Sequence, residues 1–364
     1  MSKQEYKNII AFHPGYYIKD IIDDMEITQA EFAKRLGTSS KNLSELLSGQ
    51  IKLSVDLAQK LSMMLGTSVE LWINLEKTYE TKLLEIQNAK KKDEESNILK
   101  CMDYNYFKAF GLPDTREIEE KISSLCSFFC IASLTILKQP DFLVNYRTGI
   151  KQITDKNIIN SRAWLQTALN IGKNIETSNF DKEKLISYIP DIRNMTVLEP
   201  NVFLPKLKSI FSDCGVSFVL LPHLKNCGVN GAVKWLNNDK VVLALNDRRN
   251  YADTFWFSLF HEIKHILQHK TKELIVSLDK KELKTFDSKL EQDADNFARD
   301  TLISPKEYET FISQYSFSEA DIITFSRHIN IHPGIVIGRL QSDKIIDYTR
   351  FNHLKQKYKI INVL

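Results

Sequence analysis

The chain has 364 residues, 43% hydrophobic and 26% charged, with 49 Lys and Arg against 46 Asp and Glu. These proportions exclude wholesale disorder, and a formal net charge of +3 excludes a globally basic nucleic-acid binder, so a DNA-binding assignment has to rest on a local motif. Only 12 Gly and 9 Pro leave few turn-formers, which disfavours an all-β fold and predicts a mainly α, α+β protein of two or three domains.

The five cysteines, Cys101, Cys126, Cys130, Cys214 and Cys227, are odd in number and form no CxxC pair. That argues against a disulfide framework or a four-cysteine zinc site and for a reducing cytosol. The polar opening Met1–Lys7 has no apolar core of a secretory signal. The longest uncharged run, Ile122–Leu137, is shorter than the ~20 residues a bilayer requires and reads as one buried helix. The expectation is a cytoplasmic protein with no membrane partner.

Residues 1–80 read as a series of short amphipathic helices. Thr28 caps the first informative one, Glu31 completes a capping box, Ala30, Phe32, Ala33 and Leu36 form its apolar face, and Gly37 turns the chain. A second helix, Ser40–Leu47, packs through Leu43, Leu46 and Leu47 and stops at Ser48-Gly49. Two short helices about a glycine turn make a helix-turn-helix, whose second member enters a major groove. Ser39, Ser40, Lys41, Asn42 and Ser44 are its candidate DNA-binding residues, and Gln29 is placed to reach a phosphate. Residues 1–75 hold eight basic and nine acidic residues, so the positive charge for DNA comes from Lys34, Arg35, Lys41 and Lys52 around the motif.

With His13-Pro14-Gly15 before these helices, Ser48-Gly49-Gln50 after them, and Leu65-Gly66-Thr67-Ser68 followed by Leu71-Trp72-Ile73-Asn74-Leu75, residues 12–80 resemble HigA-type antitoxins of the lambda-repressor-like helix-turn-helix class. The resemblance implies a five-helix DNA-binding fold, a homodimer, and repression through a double-stranded operator.

Residues 81–200 form a helical linker or middle domain. The run Lys90–Glu95 suits a solvated helix end or linker. Cys126, Phe129, Cys130, Leu134 and Leu137 recur at helical spacing, and the segment carries no nameable chemistry.

From residue 201 to 364 the texture changes. Ser217–Leu221, Gly231–Leu236 and Lys240–Leu245 read as strands, the middle one half-exposed. The apolar helix beginning near Phe255 then carries His261-Glu262-Ile263-Lys264-His265. Histidines four apart share a helix face and can share one ion. Neutral imidazole suits zinc, and Glu262 is spare to take a proton from an attacking water. A third ligand is expected from the helix where Glu291, Ala294, Ala298 and Leu302 form one stripe. Glu291 is the acid on that stripe. Asp293 lies about 160° away at ~100° per residue, and Asp295, a turn later, is placed to orient a ligand histidine.

The Gly231–Trp235 strand, the HExxH helix, Glu291-x-x-Ala-Asp-x-Phe-Ala and Leu302-Ile303-Ser304-Pro305 together resemble the ImmA/IrrE family of zinc peptidases over residues 200–350. Ser304 departs from that family's usual Met/Ile-Pro ending. The resemblance implies a zincin-like domain with one Zn2+ held by His261, His265 and Glu291, with Glu262 as general base. The whole chain is then similar to a fused type, a HigA-like front on an ImmA/IrrE-like back.

That type implies a DNA-binding regulator that cleaves itself or a partner repressor or toxin. The alternative is a non-proteolytic antitoxin whose zinc is structural or sensory. An edge strand over the metal would pair with substrate, and Ala232–Leu236 is the candidate. Tyr251, His269, Arg327 and His328 are candidate oxyanion donors, with His269 first of all a helix cap. Cys227 is an ordinary reduced thiol or a switch ligand. Residues 317–341 faintly echo a second helix-turn-helix, a packing hairpin before a DNA contact.

Overall fold

The computed structural model describes residues 3–139, 154–247, 251–268, 280–313 and 317–358, with backbone only for 280–288. It is mainly helical and divides into two compact units, Met1–Ile98 and Leu99–Leu364. Of the expected middle segment, residues 81–98 fall in the first unit and 99–200 in the second.

The first unit opens with an antiparallel hairpin, β1 (Lys3–Tyr6) and β2 (Ile9–Phe12), that the reading of this region as helices did not contain. Helices α1 (Pro14–Asp24), α2 (Gln29–Leu36), α3 (Ser40–Leu47), α4 (Val55–Leu65) and the 33-residue α5 (Val69–Cys101) follow. Thr28 caps α2 through its Glu31 N–H bond, but only half of the expected capping box forms. The Glu31 carboxylate accepts instead from Arg35 Nε at 3.0 Å. Gly37 closes α2 at φ 66°, a left-handed conformation that costs a Cβ-free residue little. The core gathers Ile18, Phe32, Leu36, Leu43, Leu46, Leu61 and Trp72, whereas Ala30, expected on the inner face, is exposed. The Lys90–Glu95 run lies within α5, about 50 Å long at 1.5 Å per residue, and Tyr6 Oη donates to Asp93 there at 2.6 Å.

The second unit continues with α6 (Tyr104–Lys108), α7 (Ile118–Phe129), α8 (Asp155–Asn174), α9 (Lys182–Ser187), α10 (Ile189–Asn194) and α11 (Pro200–Asp213). The expected single helix over Ile122–Leu137 is broken. Cys130 takes φ 54° and ends α7, and Ser133 caps a separate 3-10 turn, Leu134–Lys138. Both pieces still bury Leu125, Phe129, Leu134 and Leu137, so the helical spacing survives the break.

Strands β3 (Val216–Leu221), β4 (Gly231–Asn237) and β5 (Lys240–Asn246) form a sheet ordered β3-β5-β4, with β3 parallel and β4 antiparallel to β5. Central β5 is buried on both faces, which is why Val241–Leu245 reads as a continuous apolar run. Val241, Leu243 and Leu245 join the core that includes α11 and the HExxH helix α12 (Ala252–Leu267). Val242 meets α8, where a Cβ on Gly172 would stand 2.7 Å from its Cγ2. Helices α13 (Lys280–Leu302), α14 (Pro305–Ile312), α15 (Glu319–His328) and α16 (Pro333–Ser342) complete the unit.

The α15–α16 pair packs as a hairpin, in keeping with the reading preferred for it over a second DNA contact. Ile335, Val336, Ile337 and Leu340 are buried in the same core as α12, so the apolar face of α16 is spent on packing. Its start repeats the start of α1. His13-Pro14-Gly15 and His332-Pro333-Gly334 each cap a helix with an imidazole Nδ1 that accepts the glycine N–H at 3.0 Å.

Candidate metal centre and DNA-facing helix

The α12 sequence buries Phe255, Trp256, Leu259, Phe260, Ile263 and Ile266, and this apolar stripe turns His261 and Glu262 inward as well. His261 is 2% exposed and Glu262 5%, both costly to bury without compensating partners. Helix α13 packs along α12 through Ala294, Ala298 and Leu302 and brings Glu291 up to both histidines. The donor atoms of His261, His265 and Glu291 all lie within 4.8 Å of one another. The Nε2 atoms of the histidines are 2.9 Å apart. Glu291 Oε2 stands 3.4 Å from His261 Nε2, and Oε1 3.3 Å from His265 Nε2.

The far side of each ring decides what these atoms can do. His261 Nδ1 is 2.9 Å from Asp295 Oδ1, and a carboxylate oxygen accepts, so Nδ1 carries the hydrogen. His265 Nδ1 is 3.0 Å from Gln268 Oε1, whose amide nitrogen donates to the Leu290 carbonyl at 3.2 Å. With the hydrogens on Nδ1, the two Nε2 atoms are turned toward one another and toward the Glu291 carboxylate. Two lone pairs at 2.9 Å repel unless a proton or a metal ion sits between them. Two imidazoles and a carboxylate on one point are a donor set that suits zinc, and separations of 2.9–3.4 Å are those of donors about 2 Å from a common centre. Burial pushes the Glu291 carboxyl up, but hydrogen bonds and charge from His261 and His265 outweigh this and hold it well below the usual carboxylate range.

A cavity of about 670 Å³ adjoins His261 and Glu262. Its walls include Gly231 at the start of β4, Phe257 of α12, Arg299 and Ile303 at the end of α13, Ile335 and Arg339 of α16, and Tyr348. Gly231 is needed there for space: a Cβ on it would stand 2.7 Å from Glu262 Oε1 and 2.8 Å from Leu245 Cδ2. β4 is an edge strand of its sheet, though its burial shows no clean alternation beyond Gly231 and Ala232.

None of the described oxyanion candidates lines this cavity. Tyr251 caps α12 and pairs with Lys357. Arg327 is on α15, as is His328, which lines a separate groove with Phe311 and Phe325. His269 lies outside the described residues. Asp293 lines a shallow depression with Lys264 and Phe297 instead of joining the ligand cluster. Cys227 is buried, its thiol 4.0 Å from the Val229 carbonyl, and it is not part of the cavity wall. Sequence reasoning missed Gln268, Arg339 and Tyr348. Only Gln268 left a signal, its spacing of three from His265.

In the first unit, Gln29, Ser39, Ser40, Lys41 and Ser44 are exposed and Asn42 is half-buried. The Ser39 hydroxyl accepts the Asn42 N–H at 3.1 Å as the α3 cap, and Asn42 Nδ2 donates to Thr38 Oγ1 at 2.9 Å. Gln29, Ser40, Lys41 and Ser44 are the exposed candidates that carry no cap bond here. Much of the nearby positive charge is answered by acids: Arg35 by Glu31, Lys41 by Glu45 at 3.8 Å, Lys52 by Glu80. Lys34 is exposed beside them.

Residues 18–72 match the helix-turn-helix family profile. The chain is similar to the HTH-type transcriptional regulator YddM of Escherichia coli K12, itself uncharacterized, at 32% identity over 66 residues, 18% of this chain and 70% of that protein. It is similar to virulence-associated protein A′ of Dichelobacter nodosus at 36% identity over 81 residues, 22% of this chain and 69% of that protein. Among solved structures it is similar to a Nostoc punctiforme chain named for an antidote protein of a plasmid maintenance system, at 37% identity and TM-score 0.22, covering 23% of this chain and 91% of that one. Another is a Pseudomonas aeruginosa protein solved with its 28-base-pair operator DNA, at 28% identity and TM-score 0.21, covering 22% of this chain and 88% of that one. Through these N-terminal helices, the chain belongs to the helix-turn-helix family.

Proposed function

We propose that this protein is an operator-binding regulator of the antitoxin type whose second unit is a zinc-dependent endopeptidase of narrow specificity, acting on itself or on a partner repressor or toxin. The observation that carries the enzymatic half is the convergence of two imidazole Nε2 atoms and the Glu291 carboxylate on one point, with Glu262 beside them but not one of the three. His261, His265 and Glu291 would hold the ion. A bound zinc supplies Lewis acidity, polarising a carbonyl and making water acidic enough to attack at neutral pH.

Glu262 does the proton work. Its buried carboxylate, seated against Gly231, accepts a proton at Oε and returns it to the leaving amine. Gly231 and Ala232 begin an edge strand beside that carboxylate, which suits an extended substrate added as a further strand. The DNA-binding half rests on family membership and on the exposed face of α3, with Ser40, Lys41 and Ser44 toward the groove and Gln29 toward a phosphate. The likeness to a protein named as an HTH-type transcriptional regulator favours this reading.

Elemental analysis of the full chain and the Glu262→Gln variant test the proposal together. The expected result is one zinc per chain in both proteins, with cleavage of the cognate repressor or toxin by the wild type alone. Zinc in both with equal regulation and no cleavage would establish the structural or sensory alternative. No stoichiometric metal in the wild type would end the enzymatic reading and leave the operator-binding half.

A further inference from the structure

We infer that Gln268 is the positioning residue that makes His265 a metal ligand and locks the two zinc-binding helices in register. The inference rests on the zinc reading above. Gln268 ends α12 three residues after His265 and is 6% exposed. Its amide is spent on two bonds at once. The nitrogen donates to the Leu290 carbonyl of α13 at 3.2 Å, and a carbonyl only accepts, so this bond fixes which way the amide points. The oxygen is therefore the atom 3.0 Å from His265 Nδ1, which has to donate to it. The hydrogen stays on Nδ1, and the lone pair is held on Nε2 at the shared point.

The placement of Leu290 gives this bridge its second role. Leu290 immediately precedes Glu291, so one buried amide ties the second histidine to the backbone that carries the third ligand. The first histidine is held by the same helix, through Asp295. Both imidazoles thus take their orientation from α13, but by unlike partners, a carboxylate for His261 and an amide for His265. Loosening α13 by even a fraction of a turn would release both rings and remove Glu291 together. Partners of this kind typically contribute 10–100-fold to metal affinity.

The test uses the full chain and zinc itself, titrated against a competing chelator. Gln268→Met fills the same space without either bond and is expected to weaken zinc binding about 10–100-fold, with little change in the metal-free unfolding midpoint. Gln268→Glu keeps an acceptor for His265 but no donor for the Leu290 carbonyl, and is expected to recover part of that loss, the remainder measuring the tie to α13. In 15N-labelled zinc protein, the hydrogen-bonded Nδ1–H signal of His265 should persist in the wild type and Gln268→Glu and vanish in Gln268→Met. Zinc affinity unchanged in Gln268→Met, or lost equally in both variants, would overturn the inference while leaving the metal centre standing. A wild type that binds no zinc would overturn both.

Discussion

Replacing Gly15 by Ala has opposite expected signs depending on whether the helix is considered alone or in its unit. Gly15 lies in the first turn of α1. In a solvated helix interior the change would stabilise by about 0.8–1 kcal/mol through backbone propensity. Here the glycine is buried against the backbone of α3. A Cβ would overlap the Leu46 carbonyl oxygen and stand 2.8 Å from Leu47 Cα and 2.9 Å from Leu46 C, where ordinary contact begins at 3.4 Å. The neighbour is main chain and cannot rotate away, so α1 and α3 have to part by roughly 1 Å.

Overpacking of this kind costs about 1–3 kcal/mol, which exceeds the propensity gain. The net expectation is a loss of up to about 2 kcal/mol confined to the first unit, and weaker operator binding because α3 is the helix displaced. Amide hydrogen exchange of the full chain reads this directly: protection should fall in α1 and α3 and hold in α12 and β5. Equal or greater protection in α1 and α3 would refute the packing argument and show that the propensity term decides.

Three further outcomes follow from the same structure. Chelating zinc from the loaded protein should lower the stability of the second unit by about 4 kcal/mol when free metal had stood a thousandfold above its dissociation constant, since the ligands are then left to repel. A calorimetric midpoint unmoved by chelator would count against the site. Burial holds His13 below its ordinary pKa, so its unfolded form binds more protons, and the unit's stability is complete above about pH 6.5 and declines as the pH falls. The nearby Glu76 carboxyl is raised by burial and opposes that slope only as it protonates. His13→Asn keeps a cap acceptor for Gly15 and should flatten the decline in first-unit hydrogen-exchange protection between about pH 7 and pH 5; an unchanged slope would exclude His13 as its source. The Lys41 side chain is 85% exposed, and Lys41→Ala should weaken binding to all operator variants alike and reduce the salt slope by about 0.9. A loss confined to one base position would instead make Lys41 a base reader.

Much of both candidate sites was legible because their determinants are local. Thr28, Gly37 and Ser39 bound α2 and α3 within four residues of where they act, and the bounds of α3 follow from them. Spacings of three and four bring His261 to His265 and set Glu291 on the stripe of Ala294, Ala298 and Leu302. The β1–β2 hairpin was not legible: two strands of four residues are too short to show a period, and their packing partners, Tyr79 and Ile86, lie some seventy residues on. The break at Cys130 escaped notice because both flanking pieces keep helical spacing.

Sequence alone therefore determined the helix-turn-helix elements, the pair of histidines on one face and the acid expected to meet them, since each depends on chain geometry over a turn or two. Only tertiary structure decided that Gln268, reaching 22 residues to Leu290, orients His265, that Gly231 makes room for Glu262, and that Arg339 and Tyr348, not Tyr251 or His328, wall the cavity. These depend on how separate elements approach one another. Periodicity carries no information about such distances, because any side chain of suitable size at either end would leave the pattern unchanged.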